Sequence, residues 1–383
     1  MQEPPQERAG PLHLKSKPKG DHNMDKYLSP YTLKEVTFKN RVIRSATQDP
    51  FGGADGSVTD RQVELYAALA GNSIGLIITG HACVHPRGRA ALNQNSLYDD
   101  RFMEGQKRIV NACHRGGSKI FLQINHAGLQ SPASVLDGKA PLGPSAIPFS
   151  PKSPVGEALT AEEILELEKA FAEAAVRAKA CGFDGVQLHC AHNYLLSQFI
   201  SPVYNRRTDE YGGSARNRFR FARETILRIR NAVGADYPVI IKINSNVEEH
   251  DEEFGPDFME ICKICSQIGV DGIEVSGCNF TSLGRSGART YYLERAEAVK
   301  QDTGLPVFLV GGIRTKEDMR KVFDAGLDMV SLSRPFISQP DLVTRFMSGE
   351  EQAACLDCNK CFVLYGKEGR RCVLHPLPEK KEA

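Results

Sequence analysis

The chain lacks any uninterrupted apolar run approaching the roughly 18 residues that a bilayer-spanning helix requires, and its N-terminus has no secretory-type apolar stretch. A membrane-bound or exported protein is therefore not expected, and the sequence reads as cytoplasmic. Charge of one sign is missing too: 48 Lys+Arg against 47 Asp+Glu leaves a formal net charge of +1. A protein that binds nucleic acid by neutralising phosphates carries a basic excess or stripe, and outside the N-terminal tail there is none. Nucleic acid is thereby excluded as an expected partner. The eleven cysteines, an odd number without an export signal, argue for reduced thiols or metal ligands rather than a disulfide framework.

What is present is an ordinary globular composition, 41% hydrophobic and 25% charged over 383 residues, enough to bury a large core. Residues 1–24 hold Pro4, Pro5, Pro11 and Pro18, the alternating Lys15, Lys17 and Lys19, and almost no apolar side chains. Such a segment cannot offset its own ordering entropy, so it reads as a disordered tail, with Met24 a candidate start.

From there one unit repeats: a short β-branched run ending in small or polar residues, then a longer stretch of helical periodicity. The runs are residues 42–46, 75–80, 119–124, 185–190, 239–244, 272–277, 307–312 and 329–334. Amphipathic stretches lie between them at 59–70, 101–115, 161–181, 218–233, 256–268 and 316–325. Eight alternations imply an α/β fold, a (β/α)8 TIM barrel first and a doubly wound open sheet second. The expected organisation is a barrel over residues 25–350 and a Cys-rich segment over 351–383. The connection from Asn125 to about Thr160, rich in Pro, Gly and Ser, reads as a lid or substrate loop.

In such barrels chemistry sits at the C-terminal strand ends. Those ends carry too many polar groups for a core and so imply a ligand: Thr47, Gln48, His81, Gln123, His126, His189, His192, Lys242, Asn244, Ser276, Ser333 and Arg334. The seventh and eighth ends, Gly311-Gly312 and Ser333-Arg334, have the composition of a phosphate site, with bare backbone N–H groups and one arginine around an anion. The alternative is a glycine pair for tight packing and a surface arginine. Gln123 both donates and accepts, and Lys242 supplies a cation, a pair suited to a flat heterocycle with alternating N–H and C=O groups.

NRVIRSAT, GLIITGHA, LQINHAGLQ, the long segment from Gly182 to Ser214, and VGGI followed by LSRPF resemble the FMN-binding barrel of the old yellow enzyme family, especially its NADH:flavin oxidoreductase branch. The likeness spans about residues 25–375. It implies an enzyme of the NAD(P)H:flavin oxidoreductase type that moves hydride from reduced FMN to an activated C=C bond of an α,β-unsaturated carbonyl or thioester. NAD(P)H or a partner protein is the implied electron source, and family analogy implies a homo-oligomer. Residue by residue, Ala46, Thr47 and Gly80 match positions packed on the flavin ring. Gln123 matches the amide that bonds its pyrimidine side. Lys242 stands where many relatives have Arg, beside flavin N1 and the C2 carbonyl. Gly311, Gly312, Ser333 and Arg334 match the phosphate cradle, although Ser333 is more often Gly. His189 and His192 match the pair that receives the substrate carbonyl oxygen, and Tyr194 the proton donor to substrate. The alternative for these three is a buried His pair satisfied by backbone and a core Tyr.

Gln48 and Asp49 depart from the family pattern near the flavin. Tyr291 and Tyr292 read either as pocket wall or as a helix start, and His81, His126 and Arg289 stay unassigned. Cys262 and Cys265, at i and i+3 in an apolar helix, read as core. Cys355, Cys358, Cys361 and Cys372 form a metal-ligand pattern, for which a [4Fe–4S] cluster fits the spacing better than zinc, with uncoordinated thiols as the remaining option. Their placement resembles that in 2,4-dienoyl-CoA reductase and trimethylamine dehydrogenase. Two rivals stay open: a Schiff-base aldolase or isomerase with Lys242 as nucleophile, and an electron-transfer subunit of a larger flavoprotein complex.

Overall fold

A computed structural model describes residues 24–247, 250–363 and 371–374. The expected tail therefore lies outside the described residues, except Met24, which opens a 3-10 helix, Met24–Leu28.

Eight parallel strands close on themselves: β1 Val42–Arg44, β2 Leu76–Ile78, β3 Lys119–Asn125, β4 Gly185–Cys190, β5 Val239–Asn244, β6 Gly272–Ser276, β7 Val307–Val310 and β8 Met329–Leu332. Pairing of β8 with β1 and of β2 with β3 completes the ring, so the fold is a (β/α)8 barrel and not an open sheet. Around it run α1 Asp60–Ala70, α2 Met103–Arg115, α3 Ala161–Ala180, α4 Arg220–Val233, α5 Asp251–Gln267, α6 Leu293–Thr303, α7 Lys316–Asp324 and α8 Leu342–Met347. Thr59, Thr160 and Thr315 start three of them with capping boxes, each Thr accepting from the third helical N–H. Helix α5 begins five residues ahead of the expected 256, because Pro256 falls within its early turns and three acidic residues, Asp251 to Glu253, favour the N-terminal end of its dipole. Cys262 and Cys265 on this helix are buried against the barrel, as their spacing implies. No described helix is long and apolar enough to cross a membrane.

Side chains alternate in and out along each strand, so the barrel interior is stacked in layers. The lowest layer is apolar: Ile43, Leu76, Ile78, Phe121, Ile240, Phe308 and Met329 form one cluster with Leu33 and Phe38. The last two come from an N-terminal hairpin, Tyr31–Leu33 paired with Val36–Phe38, which seals the barrel floor, with the Phe38 and Phe121 rings 5.9 Å apart. Gly185 leaves room for Phe121; a Cβ there would lie 2.7 Å from its ring. The next layer is polar and holds Gln123 and Gln187, register partners on β3 and β4, with Lys242 and Glu274, register partners on β5 and β6. Burying so many polar groups is stable only if they satisfy one another, which they do.

Candidate active site

The polar layer is one network. Gln123 Nε2 donates to Gln187 Oε1 at 2.7 Å, and Gln187 Nε2 donates to Glu274 Oε2 at 2.8 Å. Glu274 also accepts from Ser45 Oγ (2.8 Å) and Ser331 Oγ (2.5 Å), and pairs with Lys242 Nζ at 3.5 Å. Lys242 in turn donates to Ser45 Oγ at 2.8 Å. Glu274 and Gln187 are residues that sequence reading missed here; only the strand register puts Glu274 beside Lys242, 32 positions away, and Gln187 beside Gln123.

Above this layer opens a cavity of about 300 Å³. Ala46, Thr47, Gln123, His189, His192, Tyr194, Lys242, Gly311, Ser333 and Arg334 all line it, so residues from six strand ends converge as the sequence implies. Gly80 and Gly312 are not among its lining residues. Gly80 donates its N–H to Tyr66 Oη at 2.9 Å, and a Cβ on it would meet the Thr47 carbonyl at 3.1 Å, so it keeps two strand ends close. Gly312, at φ +70°, packs against the Tyr291 ring. Gln48 lines the wall, whereas Asp49 turns away to accept from Gln62 Nε2 (2.6 Å) and Tyr66 Oη (3.3 Å), its carboxyl pushed up by burial. The loop after β3 reaches the cavity through Gln130.

One end of the cavity is built on the turn after β4. His192 and Asn193 are both left-handed, at φ +58° and +57°, a strained pair for residues with a Cβ. Amide side chains hold it: Gln130 Nε2 donates to the carbonyls of His192 (2.9 Å) and Asn193 (2.7 Å), Gln198 Nε2 donates to Asn193 O (2.6 Å), and the His192 N–H donates to Asn244 Oδ1 (3.1 Å). The turn brings the His189 and His192 rings to 5.2 Å and the His189 and Tyr194 rings to 5.1 Å. Burial first, then neighbouring His and Lys242 charges, pushes both imidazoles well below their ordinary range, so they are neutral at pH 7. His192 Nε2 lies 3.0 Å from Ser276 Oγ, while His189 Nδ1 is buried with no partner among the described residues, a polar atom a ligand oxygen would satisfy. His126, also unassigned from sequence, is a buried neutral imidazole accepting from Gly128 N–H at 3.1 Å, outside the wall.

The other end is ionic. Gly311 (φ +126°) and Gly312 leave the backbone bare at the end of β7, and Ser333 Oγ is 2.7 Å from Thr47 Oγ1. Arg334 donates to Asn359 Oδ1 at 2.7 Å and pairs with Asp357 at 3.6 Å. Asp357 is 2% exposed, accepts from Tyr291 Oη at 2.8 Å and faces Arg314 at 3.5 Å. Tyr291 is thus a prop for the arginine, with its phenol pushed up to about 12 by burial and Asp357, while Tyr292 lines the wall just ahead of α6. Arg289 pairs with Asp318 at 3.1 Å at the start of α7, outside the cavity. Asp357 and Asn359 carry no local signal in the sequence, since they meet Tyr291 and Arg334 across 66 and 25 positions.

Those cysteines, Cys355, Cys358, Cys361 and Cys372, line a second cavity of about 20 Å³ beneath Arg334. Among the described residues, however, no group of three or more His, Cys, Asp or Glu is arranged as a ready metal site. Cys355 instead donates weakly to Asp357 Oδ1 at 3.6 Å, its thiol pushed up to about 12 by burial.

The chain belongs to the NADH:flavin oxidoreductase / NADH oxidase family, whose model matches residues 26–353. It is 35% identical over 336 residues to an NADH oxidase of Thermoanaerobacter brockii, covering 85% of this chain and 51% of that protein. The chain spans about half the length of the curated relatives it matches. Among solved structures, a 2-naphthoyl-CoA reductase in complex with 2-naphthoyl-CoA superposes with TM-score 0.80 at 26% identity, over 88% of this chain and 54% of the other. Morphinone reductase in complex with tetrahydroNAD gives TM-score 0.76 at 26% identity, over 85% and 91%.

Proposed function

We propose that this chain is an FMN-dependent ene-reductase that takes electrons from NAD(P)H and saturates an activated C=C bond of an α,β-unsaturated carbonyl or thioester. The observation that carries the reading is one cavity joining an amide and cation pair (Gln123, Lys242), a glycine and arginine cradle (Gly311, Arg334) and a neutral His-His-Tyr cluster. These groups fit FMN: Gln123 and Lys242 at the ring's polar edge, Ala46 and Thr47 against the ring, Gly311, Ser333 and Arg334 around the phosphate, with Gly312 packed behind them on Tyr291. Gly80 serves by holding Thr47 in place.

Reduced FMN, when bound, supplies hydride to the substrate β-carbon. Charge then builds on the carbonyl oxygen, where N–H groups of the uncharged His189 and His192 stabilise it. Tyr194, a phenol protonated at neutral pH, donates its proton to the α-carbon. Hydride at one carbon and proton at the other balance the reduction. Lys242 is engaged with Ser45 and Glu274 rather than presented as a free amine, which speaks against the Schiff-base reading. The spacing of the four cysteines is what supports a [4Fe–4S] cluster for the C-terminal segment; they line one small cavity but, among the described residues, are not arranged as a ready metal site.

Anaerobically purified protein should be yellow, bleach with NAD(P)H or dithionite, and carry iron and sulfide in equal amounts. Colourless protein that takes up no FMN would end the flavin reading; absence of iron would end the cluster alone.

A further inference from the structure

The mechanism above leaves a buried imidazole at the cavity wall unused. His81, on the segment after β2, is 6% exposed and lines the cavity with its ring 5.0 Å from Tyr194. Its Nδ1 lies 2.8 Å from Gln94 Nε2 and 3.1 Å from Asn125 Nδ2. Gln94 settles who donates. Its Oε1 accepts from the Ala90 N–H at 2.5 Å, and its Nε2 donates to the His81 carbonyl at 3.0 Å, so the atom facing Nδ1 is an NH2 group. One of its hydrogens goes to the carbonyl and the other to the ring. Nδ1 must then offer a lone pair, and in a neutral imidazole the proton sits on the other nitrogen. An imidazolium would press an N–H against the Gln94 donor, which disfavours the charged form. The proton-bearing Nε2 lies 3.4 Å from Tyr194 Oη.

We propose that His81 is a positioning residue for Tyr194: locked as the neutral tautomer with its proton on Nε2, it donates to the phenol oxygen and so turns the phenol's own hydrogen toward the substrate. A phenol cannot donate to a ring nitrogen that already carries a hydrogen, so the O–H is directed elsewhere. After its proton passes to the α-carbon, the same His81 N–H stabilises the phenolate until water reprotonates it, and His81 keeps its own proton throughout. This rests on the proton-donor reading of Tyr194 and adds who sets its direction. Titratable groups facing the pair among the described residues include His189, its ring 5.9 Å from His81 and 5.1 Å from Tyr194, and His192, 5.2 Å from His189.

The test begins with nitrogen-15 spectra of the histidine rings in the intact protein, the His81 signals identified by their loss in His81→Gln. The expected result is a neutral Nε2–H ring between about pH 5.5 and 8. An Nδ1–H ring, or titration to imidazolium in that window, would overturn the proposal. Kinetically, His81→Leu should slow alkene reduction roughly 10- to 100-fold, the loss of one hydrogen bond to a charged group, and shift the pH limb assigned to Tyr194 upward. Flavin reduction by NAD(P)H should not change, and His81→Gln, which keeps an N–H donor, should recover most of the rate. Gln94→Leu, which leaves His81 in place, should convert the ring to a mixture of tautomers. A slow Tyr194→Phe beside an unimpaired His81→Leu would sink this inference alone; a fast Tyr194→Phe would sink the donor reading with it.

Discussion

The two ends of the cavity are held in opposite ways. At the His189, His192 and Tyr194 end, the groups are uncharged and are fixed by side-chain amides: Gln130 and Gln198 on the strained turn, Gln94 and Asn125 on His81. At the Arg334 end, the groups are ionic and borrow a carboxylate, Asp357, from the segment that also carries the cysteines. Neutral donors aimed by amides are ready to meet charge that appears only during reaction, whereas a fixed cation suits a ligand that is always charged. On the proposed function, the difference separates chemistry from anchorage.

Breaking the neutral end should have the largest effect. Tyr194→Phe should lower alkene reduction by about 10²- to 10⁴-fold while leaving flavin reduction by NAD(P)H intact, read by stopped-flow on the two half-reactions. Equal losses in both halves would erase the distinction between the ends. Arg334→Ala should weaken FMN binding roughly 10- to 100-fold, measured by quenching of flavin fluorescence, with little change in rate once the flavin is saturating. A large rate loss in the saturated variant would mean that the anchor also does chemistry.

Acid should distinguish the ends next. His126, His189 and His192 have folded-state values well below their ordinary 6.5, so the unfolded chain binds more protons than the native one below about that pH. Their stability contribution is complete above about pH 6.5 and is lost as pH falls, by about 1.4 kcal/mol per unit for each group until its folded value is reached. Asp49, with its carboxyl raised, works in the opposite sense and blunts the slope at lower pH. Thermal unfolding between about pH 7 and 5 reads it, and a flat profile would contradict the neutral assignment. The smallest effect belongs to the clamp: Gln130→Leu, which strips two hydrogen bonds from a left-handed pair, should cost about 1–2 kcal/mol of stability and blur the His192 position. Unchanged unfolding would show that Gln198 and Asn244 suffice.

Much of this was written in the chain's local pattern. Strand ends at 42–46, 239–244 and 329–334 were legible because β-branched runs closing on polar residues have few other uses, and the ligand-facing groups follow from period two. The long motif from Gly182 to Ser214 was legible as a whole but not in its parts. Arg207 donates to Leu159 O (2.6 Å) and Pro144 O (3.1 Å), and Asn205 to Phe199 O and Tyr211 O (2.7 Å each), so half of it is scaffold for the loop beside the cavity. What was not legible depends on contacts that no local period encodes. Glu274 meets Lys242 only through strand register, and Asp357 reaches Tyr291 across 66 positions. His81 could be named but not understood, since its tautomer is written in the side chain of Gln94.

The hairpin under the barrel has a kinetic meaning. With Leu33 and Phe38 packed into its lowest layer, the barrel is closed beneath the chamber among the described residues, which leaves the strand-end side as the approach. On the proposed reading, electron donor and acceptor share that approach and take turns at it. Initial-rate plots at several fixed concentrations of one substrate should accordingly run parallel rather than converge.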